Sequence, residues 1–104
     1  MGATTFYELS RGETPQEAFS AAKQEAQYMY GHGGYTGTIA EKHNFTMASS
    51  KTLSEKEAYA LADSLISTHY SDKWGPAGCI SIKPSSHSLL FSGPTYLFFG
   101  WASE

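Results

Sequence analysis

Two helix-start signals constrain this chain more than anything else in it. Thr14-Pro15-Gln16-Glu17 sets a capping residue, a first-turn proline and a returning glutamate in sequence. Ser54-Glu55-Lys56-Glu57 repeats the arrangement without the proline. After the first signal, Ala18, Phe19, Ala22, Ala26, Met29 and Tyr30 recur at helical spacing, and Gly31 supplies a left-handed stop. After the second, Ala58, Leu61, Ala62, Leu65, Ile66 and His69 mark one helical face. A chain of 104 residues has room for these two helices and one core, so residues 1–104 read as a single domain.

The rest reads as strands and turns. Thr4 to Leu9 is the first strand, ending at Arg11-Gly12. Tyr35 to Met47 is the second, with an irregularity expected at Gly37. Ser49 to Thr52 is a turn, and Ser71 to Gly78 is a loop. Cys79 to Lys83 is a strand with Ile80 and Ile82 on one face, and His87 to Phe91 is a further candidate. Tyr96 to Trp101 is apolar on both faces, which belongs at a sheet centre or at an interface between copies. The order β-α-β-α-β-β predicts the α+β class, with two helices packed on one face of a mostly antiparallel sheet.

Charge and composition narrow the partners. The net charge of −3 and the scattered Lys and Arg argue against polymeric nucleic acid, which needs a clustered basic footprint. A small anionic ligand needs only a few N–H groups and one or two cations. The single cysteine, Cys79, forms no intramolecular disulfide and points to a reducing, cytoplasmic compartment. At the start of a strand it reads as a small buried hydrophobe rather than a nucleophile. No apolar run reads as a leader or a membrane span. The four histidines are not spaced as metal ligands, so neither metal nor cofactor is expected.

Three segments can carry chemistry. In Gly31-His32-Gly33-Gly34-Tyr35-Thr36-Gly37-Thr38, the glycines allow sharp turns that aim N–H groups at an anion. Tyr35, Thr36 and Thr38 add hydroxyls there, and His32 adds a group that titrates near neutrality. A helix cap followed by a turn is the plainer reading. In an extended 35–47 strand, Glu41 and His43 share the face of Ile39, Phe45 and Met47, while Lys42 points to the other. An ionisable pair on a partly apolar face suggests a proton-transfer site, and a solvated sheet edge is the competing reading. In Asp72-Lys73-Trp74-Gly75-Pro76-Ala77-Gly78-Cys79, an aromatic can stack on a base while a cation neutralises phosphate. For Trp74, cover over the core is the expectation.

The strings Gly31-His32-Gly33-Gly34-Tyr35-Thr36-Gly37-Thr38-Ile39-Ala40-Glu41-Lys42 and Asp72-Lys73-Trp74-Gly75-Pro76-Ala77-Gly78 resemble a family of small, largely uncharacterised phage-encoded proteins. The resemblance implies a phage accessory protein in the host cytoplasm, in a setting that includes inhibitors of nucleotide-based immune signalling. Two nucleotide functions then stand open, beside a plainer protein-protein inhibitor that uses its aromatics as anchors. One is metal-independent cleavage of a cyclic nucleotide signal, with His32, Glu41 and His43 moving protons. Gly33, Gly34, Tyr35, Thr36, Thr38, Lys42, Lys73 and Trp74 would hold its ligand. The other is a non-catalytic sponge for the same kind of ligand, a cyclic dinucleotide or ADP-ribose derivative, with a homo-oligomer building the pocket.

Overall fold

The structure is a computed structural model and describes residues 2–31, 36–83 and 94–104. Its elements run β1 (Ala3–Arg11), α1 (Pro15–Tyr30), a 3-10 turn (Ile39–Glu41), β2 (Phe45–Met47), α2 (Glu55–Leu65), β3 (Ala77–Ile82) and β4 (Thr95–Ser103). This is the α+β class, in the predicted order. The candidate strand His87 to Phe91 lies outside the described residues.

Both helices start where their caps predict. The Thr14 hydroxyl accepts from the Glu17 N–H at 3.2 Å. At α2 the capping box is reciprocal: Ser54 Oγ accepts from Glu57 N–H at 3.2 Å, and Glu57 Oε1 accepts from Ser54 N–H at 3.2 Å. Helix α1 stops at Gly31, whose φ of 86° suits glycine and whose N–H donates to Gln27 O at 2.8 Å. Helix α2 stops short of His69, which is exposed rather than part of the buried face. Its end is fixed from the sheet, where Trp101 Nε1 donates to Ile66 O at 2.9 Å.

The sheet order is β1-β4-β3-β2. Strand β4 pairs antiparallel with β1 from Ala3↔Ser103 to Arg11↔Thr95, and antiparallel with β3 from Gly78↔Phe99 to Ile82↔Thr95. Strand β2 joins β3 in parallel, Phe45 opposite Ala77. The sheet is therefore mixed rather than mostly antiparallel. The cause is α2, which carries the chain back before β3 begins, so β2 and β3 run the same way.

The helices occupy opposite faces, not one. Tyr96, Phe98 and Ala102 of β4 pack with Ala18, Phe19, Ala22 and Ala26 of α1. Leu97 and Phe99 pack with Ala58, Ala62 and Ile66 at α2, and Trp101 flanks them. The split continues in β3, with Ala77 and Cys79 on the α1 side and Ile80 and Ile82 on the α2 side. Crossover handedness accounts for it. The chain crosses the sheet one way between β1 and β2 and returns the other way to β3. Two crossovers of the same hand in opposite directions need opposite faces. The two-sided strand is thus central within one domain, and its faces are not left over for contact between copies.

Close helix approach follows from small residues at four-residue spacing, Ala18, Ala22 and Ala26 in α1 and Ala58 and Ala62 in α2. Aromatic rings fill what remains. On the α1 side Phe19, Phe45 and Phe98 have ring centroids 5.1 to 5.5 Å apart. On the α2 side Tyr70 meets Phe99 edge-on at 5.0 Å. The Phe99 ring lies over Gly78, so close that a Cβ there would stand 2.3 Å from Phe99 Cζ. Gly78→Ala is expected to destabilise the domain by about 1–3 kcal/mol through overpacking. Urea unfolding should show a lower midpoint at unchanged slope. Phe99→Leu in the same chain should relieve part of the loss, giving a non-additive pair.

Candidate functional site

The segment 36–47 is not one strand. Gly37 has a φ of 70° and is buried, and its N–H donates to Ser103 O at 2.7 Å. A Cβ at Gly37 would meet Thr4 Cγ2 at 2.8 Å. The Thr38 hydroxyl then accepts from the Ala40 N–H at 3.2 Å and caps the 3-10 turn. A threonine that caps its own backbone offers an alternative to strand pairing, and here it wins until Phe45. Strand alternation therefore does not place Glu41 and His43 on one face.

The side chains go separate ways. Glu41 is half-buried, and its Oε2 accepts from the Thr36 N–H at 3.2 Å and the Thr36 hydroxyl at 2.7 Å. Thr36 and Thr38 hydroxyls lie 2.8 Å apart. These bonds brace the 36–41 loop on itself. His43 is exposed. His32, Gly33, Gly34 and Tyr35 lie outside the described residues. Their leading neighbour, Gly31, closes the C-terminal end of α1, the end toward which helix carbonyls point and where the dipole is negative. That helix end gives an anion no help.

Lys42 turns inward. It is 1% exposed, and its three ammonium donors match three carbonyls: Asp72 O at 3.3 Å, Lys73 O at 3.2 Å and Gly75 O at 2.9 Å. Its aliphatic stem passes over Gly100 of β4, where a Cβ would lie 3.5 Å from Lys42 Cε. Burial pulls the ammonium below the usual lysine range, and the nearby Asp72 carboxylate opposes that pull. Lys42 is thus parted from Glu41 and His43 and committed to the 72–75 backbone. The two sequence motifs are joined by this one side chain. A cation set among Ile39, Ala40 and Phe45 was the available signal, but its partners lie thirty or more positions on.

The loop that Lys42 holds carries an outward arm. Asp72 folds it: Oδ1 accepts from Trp74 N–H at 2.9 Å, and the carbonyl accepts from Gly75 N–H at 3.0 Å. Trp74 is 65% exposed, so it does not cover the core as its sequence suggested. Lys73 Nζ sits 5.3 Å from the Trp74 ring and donates to Gly2 O at 3.4 Å. A planar cationic platform results, anchored from beneath. It lies at the end of the sheet where β1 starts and β4 finishes, since Gly2 and Glu104 exchange backbone bonds there.

Among the described residues, no three His, Cys, Asp or Glu side chains gather as a metal site, and no helix is long and apolar enough to cross a membrane. The chain matches no family model, no curated protein and no solved structure.

Cys79 is fully buried on the α1 side of β3, and burial raises its thiol from 9.0 to about 12. It has neither the thiolate nor the access of a nucleophile. The native protein at pH 8 should resist a thiol reagent that labels it readily in denaturant. The raised value also fixes a pH trend. Above pH 9 the unfolded chain releases a proton that the folded one keeps until about pH 12, so this contribution is full below pH 9 and lost across that window. Relative to Cys79→Ala, the wild type should lose stability by about 1.4 kcal/mol per pH unit as pH rises past 9. An equal alkaline response in both proteins would contradict the buried thiol.

Proposed function

We propose that this protein binds a small anionic ligand with a planar base, of the nucleotide second-messenger class, and holds it without turning it over. The observation that carries the reading is the Lys73-Trp74 platform, an exposed indole with an ammonium at 5.3 Å on a loop anchored by three bonds. Stacking of a base on an aromatic ring is worth about 1–3 kcal/mol, and the adjacent cation suits a phosphate. Sequestration is favoured over cleavage because Glu41 bonds to Thr36 and Lys42 to the loop backbone, leaving His43 apart from both. In the phage setting that the two motifs imply, such a binder would act in the host cytoplasm and withdraw an immune signal.

The test is to mix the protein with cyclic di-AMP or ADP-ribose and chromatograph the free ligand before and after heat denaturation. The expected result is a stoichiometric loss of free ligand that heating restores intact. Trp74→Ala should weaken binding by roughly 5- to 150-fold, the equivalent of one lost stack. New product peaks would replace the binder with an enzyme, and His43→Ala would then be expected to lose turnover while staying folded. No uptake of either probe would overturn the nucleotide reading.

A further inference from the structure

The contact between Lys42 and the 72–75 loop does more than bury a charge. An ammonium has three donors, and all three are taken by backbone carbonyls of one turn, those of Asp72, Lys73 and Gly75. Carbonyls that converge on one point repel one another unless a cation sits between them. Without that cation the turn has its Asp72 bonds to Trp74 and Gly75, and little else among the described contacts fixes its backbone. The stem of Lys42 is held in turn by the sheet. It crosses β4 at Gly100 beside the Phe6 ring, close enough that an added Cβ would be in van der Waals contact with both. The cation is thereby referenced to β4, an inner strand of the sheet, and the outward arm is referenced to the cation.

The geometry points to Lys42 as a positioning residue that orders the Lys73-Trp74 arm through the backbone, without touching the ligand itself. Its consequence for ligand rests on the binding reading above, whereas the ordering of the arm does not. Carbonyl cradles of this kind resemble monovalent-cation sites, and here the chain supplies its own occupant. An arm so fixed meets a planar ligand without first losing conformational freedom, which favours affinity.

The experiment compares wild type with Lys42→Met, which keeps the stem and removes the ammonium. Backbone 15N relaxation at residues 73 to 75 and at the Trp74 indole reads the order of the arm. In the wild type these order parameters should be near 0.85, and in Lys42→Met they should fall below about 0.6, with β3 and β4 unchanged. Unchanged values at 73 to 75 in a folded Lys42→Met protein would overturn the proposal. A second measurement covers the case in which that variant fails to fold. In the wild type, the Lys42 ammonium should give a slowly exchanging 15N signal with through-hydrogen-bond couplings to carbonyl carbons 72, 73 and 75. A freely exchanging ammonium without those couplings would overturn it equally.

Titration with cyclic di-AMP and ADP-ribose then reads the consequence. Lys42→Met should bind roughly tenfold or more weakly than wild type at the same stoichiometry. Equal affinity would remove the positioning role. Where the wild type takes up neither probe, the binding reading fails, and the relaxation data alone decide on Lys42.

Discussion

Leu97, Phe98 and Phe99 follow one another in β4, each fully buried, and they point alternately to the two sides of the sheet. Each face offers apolar surface worth roughly 1.5–3 kcal/mol per large side chain once covered. Neither can be left to water in a domain this small. One helix per face is the arrangement that satisfies both, and the alanine stripes of α1 and α2 let each helix come close enough to do it. The central place of β4, the parallel seating of β2 beside β3 and the opposed helices are connected outcomes of that single two-sided strand.

The end of the molecule that carries Lys73 and Trp74 depends on the same strand at one remove. Gly100 interrupts the row of large side chains on the α1 face, and Lys42 uses the space. The ammonium is brought to the loop that carries Trp74, so a surface feature inherits the rigidity of the core. This suits binding better than proton transfer. Acid–base chemistry needs groups aimed at the same reacting atoms. Here Glu41 is turned to Thr36, Lys42 to the backbone and His43 to solvent.

Much of the architecture was legible in the residues, for local reasons. Helix caps are encoded within four positions, so Thr14 and Ser54 announced α1 and α2. A strand apolar on both faces belongs at a sheet centre or at an interface, and β4 takes the centre. What failed depended on pairs remote in sequence or on competition at one site. Period-two reading carried a strand through 35–47, and the capping of Thr38 and the positive φ of Gly37 ended it. Counting helices does not reveal which face each takes, because that follows from the direction of two crossovers. Of the candidate site, the loop from Asp72 to Gly78 was marked in the sequence, with Trp74 expected over the core. Lys42 was rightly parted from Glu41 and His43, but for a mistaken reason, and the exposure of Trp74 was missed because a tryptophan beside glycine and proline serves equally as a lid.

The register between β1 and β4 bears on how such a chain finds its structure. Ala3 stands opposite Ser103, and Gly2 and Glu104 share two backbone bonds. Among the described residues, the strand that pairs with β1 is therefore the last of the sheet in sequence. Its contacts are among the longest in sequence that this chain can make, and such topology raises the entropic barrier to assembly. Until β4 arrives, α1 and α2 have no sheet centre to cover. The domain should accordingly be a slow folder for its size, cooperative from end to end, with no smaller fragment able to stand by itself.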